Sequence, residues 1–121
     1  MRRTLMIASI LALAAAFGAA LASGDVMDRK STHAERIFRH LATGELEKVV
    51  EHARELETVT LNAGFEYDDK QSGEYAREFL KIIRALGDEA DRGNMAGSYY
   101  QFTRMAGVCF ACHEHIREKK R

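Results

Sequence analysis

The sequence predicts an all-α protein, an antiparallel four-helix bundle, and three observations lead there. Four stretches repeat apolar residues at the spacing of one helix face. No stretch of useful length alternates apolar with polar residues, as a half-buried strand would. The 121 residues include no proline, so nothing breaks a helix from within. Four amphipathic helices with short connections pack most economically as such a bundle.

The chain opens on what reads as an address. Arg2 and Arg3 precede an uncharged apolar run from Leu5 to Phe17, and Ala20-Leu21-Ala22 offers the small residues of a cleavage site. The run is about 13 residues, short of the roughly 20 that span a bilayer. The expectation is a secretory signal peptide, 1–22, cleaved after Ala22, and a single exported domain, 23–121, with no membrane span left after cleavage. Removing Arg2 and Arg3 from the 18 basic residues leaves 16 against 18 acidic ones, a net charge of −2. That balance, with no basic stripe, argues against a nucleic-acid partner.

The first helix carries Ala34, Ile37, Phe38 and Leu41 on one face. Its start is ambiguous: the stripe allows a beginning near Asp25, whereas Thr32-His33-Ala34-Glu35 has the spacing of a capping box. Gly44 punctuates. The second stripe runs Leu46, Val49, Val50, Ala53, Leu56 and Val59, stopping near Asn62-Ala63-Gly64. Residues 65–71 are polar and aperiodic and read as a loop. Ser72 can cap the third helix, which turns Tyr75, Phe79, Ile82, Ile83, Leu86 and Ala90 inward before Gly93 stops it. Asn94 can cap the fourth, whose seam of Met95, Tyr99, Phe102, Ala106, Cys109, His113 and Ile116 steps by four and three. Lys119, Lys120 and Arg121 read as a solvated tail that matches the helix dipole. Such a core is thin for this size, and a large buried cofactor would strengthen it.

The chemistry sits in Cys109-Phe110-Ala111-Cys112-His113, a Cys-x-x-Cys-His motif, the attachment signature of haem c. On a helix, positions i and i+3 share a face, so both thiols can add to the two vinyl groups at one porphyrin edge. His113 follows one turn after Cys109 and can offer a ring nitrogen to the iron. A thioredoxin-like pair would sit where a strand enters a helix, and none is expected here. Two cysteines three apart in a regular helix are badly placed for a disulfide. A zinc site would want four ligands where two thiols and one adjacent imidazole stand out. No general base, nucleophile or oxyanion set accompanies the motif, so no enzyme is expected.

The layout resembles the class II c-type cytochromes, the cytochrome c′ family, whose motif continues as Cys-x-x-Cys-His-x-x-aromatic-Arg. Here Cys109 to Arg117 reads CFACHEHIR, with Ile116 where an aromatic residue is usual. The resemblance covers the helical layout of the whole mature chain but only about nine residues of motif. It implies one covalent haem per chain, with Cys109 and Cys112 as thioether anchors, His113 as proximal ligand and Arg117 near the haem edge. Arg117 could pair with a propionate or simply face solvent. The resemblance further implies a periplasmic location and redox partner proteins, and it leaves a homodimer open.

Function in that family turns on the distal face of the iron. A methionine there makes a low-spin electron carrier; an open position makes a binder of small gases such as nitric oxide or carbon monoxide. Met27 projects about 30° from the centre of the first stripe and His33 about 90° from it, which favours Met27 if the helix extends that far back. A start at Thr32 would instead bring His33 into the first turn, and the inward-facing Lys30 speaks for that later start. Met27, His33 and an open site all remain alternatives. Met95 and Met105 share a helix with His113 and read as core. His40 and His52 read as surface residues, and His115 points away from the His113 face. Single-electron transfer is the leading expectation, gas binding the second.

Overall fold

The structure is a computed structural model that describes residues 26–62 and 69–121. The expected leader 1–22, the Ala63-Gly64 stop and residues 65–68 of the expected loop lie outside the described residues. Within them the chain is all helical: α1 over 26–43, α2 (Leu46–Asn62), α3 (Lys70–Asp91) and α4 (Met95–Lys119). None is long and apolar enough to cross a membrane.

The connections show why the helices fold back on one another. Gly44 adopts φ +79°, a left-handed conformation that a side chain resists, and its amide reaches Leu41 O as α1 ends. Gly93 does the same at φ +72° after α3, with its amide on Ala90 O. Asn94 then caps α4, its side chain accepting from Gly97 N at 3.0 Å. Partners across the helices run in opposite directions: Glu57 of α2 pairs with Arg84 of α3 while Ala53 lies beside Gly87, and Glu78 of α3 pairs with Arg104 of α4 at 2.8 Å while Asp69 meets Lys119. Phe38 of α1 meets Phe102 of α4 with ring centroids 5.9 Å apart, while Lys30 lies beside Cys109. The four helices therefore form an antiparallel four-helix bundle.

Of the two starts left open for α1 the later one fails, and the expected cap of α3 is corrected. Thr32 does not begin α1: its hydroxyl donates to Asp28 O at 2.9 Å, a bond made inside a helix already running. Ser72 does not cap α3. Asp69 does, accepting from Ser72 N at 2.9 Å, so Lys70 and Gln71 are helical rather than loop. An aspartate caps as well as a serine, and this one lies where the chain can also reach α4.

The core is built by the expected stripes on three helices. Ile37 and Leu41 of α1, Val49, Ala53 and Leu56 of α2, and Phe79, Ile82, Ile83 and Leu86 of α3 form one buried cluster with Met105. Each large aliphatic side chain so placed contributes about 1.5–3 kcal/mol from surface withdrawn from water. The α4 seam departs from expectation. Of its 25 residues α4 buries Ser98 and Met105, whereas the seam residue Tyr99 is 63% exposed. The buried line is rotated by about one residue position. The expected seam is only partly covered by protein, with Phe102 and Cys109 packed against the edge of the core.

Candidate functional site

What the lower part of the α4 seam faces is a cavity of about 790 Å³. From α4 it is lined by Phe102, Met105, Ala106, Cys109, Cys112, His113 and Ile116. Tyr75, Ala76 and Phe79 of α3 form a second wall, and Met27, Lys30 and Ala34 of α1 a third. Because α4 is a continuous helix through the motif, both thiols and the following imidazole come to one side of this space. Neither cysteine is in a disulfide, as the helical spacing requires.

The electrostatics of the thiols are those of enclosed groups. Burial pushes both Cys109 and Cys112 above the ordinary thiol range, with Cys109 the more enclosed, and the Lys30 ammonium opposes the shift. A reactive dithiol needs the opposite, a thiolate favoured at neutral pH. Lys30 is itself the unusual group of the cavity. Its Nζ lies 4.3 Å from the centre of the Phe79 ring, a cation–π distance. Burial pulls its ammonium below the usual lysine range, against the pull of the two cysteine side chains.

The structure sorts the other expected site residues. Met27 lines the cavity and is 39% exposed. His33 lies outside the lining, on the α1 side that meets α2, with its Nδ1 at 3.3 Å from both His52 Nδ1 and Glu55 Oε2. Arg117 also lies outside it, its guanidinium 6.0 Å from the Phe110 ring centre. His113 lines the cavity while remaining exposed to solvent. His115 stands aside, with Nε2 donating to Asp69 Oδ1 at 3.1 Å.

Several residues escape a reading of the sequence. Lys119 and Lys120, expected as a solvated tail, line the cavity, and Lys119 Nζ also donates to Asp69 Oδ2 at 2.6 Å. Asp69 therefore ties the start of α3 to the end of α4. Its carboxyl is held well below the usual range, chiefly by Lys119 and next by the Ser72 amide. His52 is not a surface residue: it is 6% exposed, packed between the rings of His33 and His40. Lys30 did carry a signal, since its position falls on the apolar stripe of α1. Comparison with family models, with curated proteins and with solved structures finds no match to this chain.

Proposed function

We propose that the chain is an exported c-type haem protein that carries single electrons, with Cys109 and Cys112 as covalent anchors and His113 as the proximal ligand. One observation carries the reading: both thiols and the imidazole that follows them line the same side of a largely apolar cavity. At about 790 Å³ the cavity is within the range that encloses a ligand of cofactor size. When bound, the haem supplies an iron that passes between ferric and ferrous states.

The chain's own residues do the rest. Cys109 and Cys112 would hold the group through thioether bonds, each S–H adding across one vinyl group so that sulfur and hydrogen both go to carbon and no external oxidant or reductant is needed. His113 would offer a ring nitrogen to the iron. Phe79, Phe102 and Met105 exclude water, which raises the energetic weight of every charge near the iron. Lys119 and Lys120, rather than Arg117, supply positive charge at the rim for the haem carboxylates. Met27 is the proposed distal ligand from α1, and Lys30 is the second donor from that helix in the same space. Export to the periplasm and redox partner proteins belong to this reading, because haem c is attached outside the cytoplasm.

The exposure of Met27 gives the gas-binding reading its one foothold, since a loosely held thioether leaves the distal face accessible. The absorbance spectrum of the ferrous protein, matured where haem is attached, separates the two. A sharp, split visible band identifies a six-coordinate carrier, and Met27→Ala should abolish it while Lys30→Met leaves it in place. A broad high-spin spectrum that shifts with carbon monoxide replaces the carrier with a gas binder. Absence of any haem stain after denaturation rejects both.

A further inference from the structure

We propose that His33, His52 and Glu55 form a binding site for a divalent transition-metal ion of the zinc class, on the α1–α2 face of the bundle and apart from the cavity. The three donor atoms converge on one point. His33 Nδ1 lies 3.3 Å from His52 Nδ1 and 3.3 Å from Glu55 Oε2, and His52 Nδ1 lies 3.7 Å from that same oxygen. Zinc bonds to nitrogen and oxygen are about 2.0–2.2 Å, so the edges of a tetrahedral site are about 3.3–3.5 Å. The observed triangle matches one face of such a tetrahedron to within a few tenths of an ångström.

The scaffold holds the donors there. His52 and Glu55 are three residues apart on α2 and so share a face, while His33 comes across from α1. The His52 ring is buried, tilted against His33 at 5.5 Å and stacked on His40 at 5.5 Å with 12° between planes. His40 is fixed in turn by Glu45, 3.0 Å from its Nδ1. Two imidazoles and one carboxylate are the donor set of catalytic zinc sites, which leave a fourth position for water or another ligand. Glu55 is exposed, and a neighbouring cavity of about 410 Å³ gives that fourth position a route to solvent. Arg29 and Arg54 line the same cavity. Their positive charge works against an ion and in favour of an anionic fourth ligand, which sets the expected affinity below that of a structural zinc site.

A shared proton is the competing arrangement, with one imidazole N–H bridging the second ring and the carboxylate. Calorimetric titration of the full chain, with or without haem attached and freed of loosely bound metal by a chelator, with Zn²⁺ decides between them. The expected result is one ion per chain, with affinity reduced by more than about tenfold in Glu55→Gln, since even outer-shell changes cost about that much. His33→Ala should abolish uptake. His52 is buried within the bundle, so the exposed Glu55 and the partly buried His33 carry the test, with far-ultraviolet circular dichroism confirming the fold. His115→Ala, which removes the imidazole–carboxylate contact with Asp69 between α3 and α4, should leave uptake intact. No uptake, or uptake unchanged in both Glu55→Gln and His33→Ala, overturns the site. The titration reports on the α1–α2 face whatever the haem spectrum shows.

Discussion

Two halves of the bundle use the same apolar periodicity to different ends. Where α2 and α3 meet, with Ile37 and Leu41 of α1 closing over them, the stripes interlock and Val49, Leu56, Ile82, Ile83 and Leu86 lose nearly all contact with water. Where α4 faces α1 and the start of α3, residues of the same character line a cavity, and Ile116 and Tyr99 stay exposed. An apolar stripe therefore specifies a face that must be covered, not what covers it. In the first half the cover is protein; in the second, the proposed function makes it a porphyrin.

The largest effect expected on that contrast is total. Replacing both Cys109 and Cys112 with alanine should reduce haem staining after denaturation to background, while a single replacement leaves one thioether and a weaker signal. Staining that survives the double change would remove the chemical basis of the cavity half.

Next is the difference in stability between the halves. Leu86 is fully buried, so Leu86→Ala should cost about 3 kcal/mol, read from urea denaturation of the protein produced without haem. Ile116→Ala under the same conditions should cost less than about 1 kcal/mol, because its side chain already meets solvent. Equal costs would erase the contrast. In the haem-loaded protein the Ile116→Ala penalty should grow, and its failure to do so would show that the cavity does not close on the group.

The smallest effect concerns the tie between the halves. Asp69 is ionised more readily in the folded chain than in the unfolded one, so its contribution is fully present above the ordinary carboxylate pKa of about 3.9. It is lost as pH falls from there toward the depressed folded value. Asp69→Asn keeps a capping side chain and removes the charge. Its melting temperature should fall less steeply than the parent's below about pH 4, by a few degrees at most for a partly solvated group. Parallel curves would mean that Lys119 and His115 do not hold α4 to α3.

How much of this was legible follows from the same contrast. The α2 and α3 stripes were readable because their partners are each other, and Gly44, Gly93 and Asn94 announce their turns by residue type. The α4 seam was readable as an apolar line but not as a cavity wall, since the period carries no information about the far side. Two residues three positions apart, Asp69 and Ser72, both suit a helix start; only the reach of Lys119 and His115 from α4 selects Asp69. His52 borders the α2 stripe next to Ala53, and its burial depends on His33 and His40 from another helix, which local spacing cannot show. That Cys109, Cys112 and His113 come to one cavity was legible, because positions three and four apart share a helix face. The cavity around them was not, because three helices build it.

The pairing of the helices also orders their assembly in time. α1 meets α2, α2 meets α3 and α3 meets α4 as neighbours along the chain, whereas the contact of Phe38 with Phe102 joins the first helix to the last. Closing the longest loop costs the most chain entropy and is repaid last, so α1 should close against α4 after each helix has paired with its neighbour along the chain. Until that step the motif on α4 stands open on one side. The thiols are thus reachable during folding and enclosed at its end, and hydrogen exchange should show the amides of α1 losing protection before those of α3.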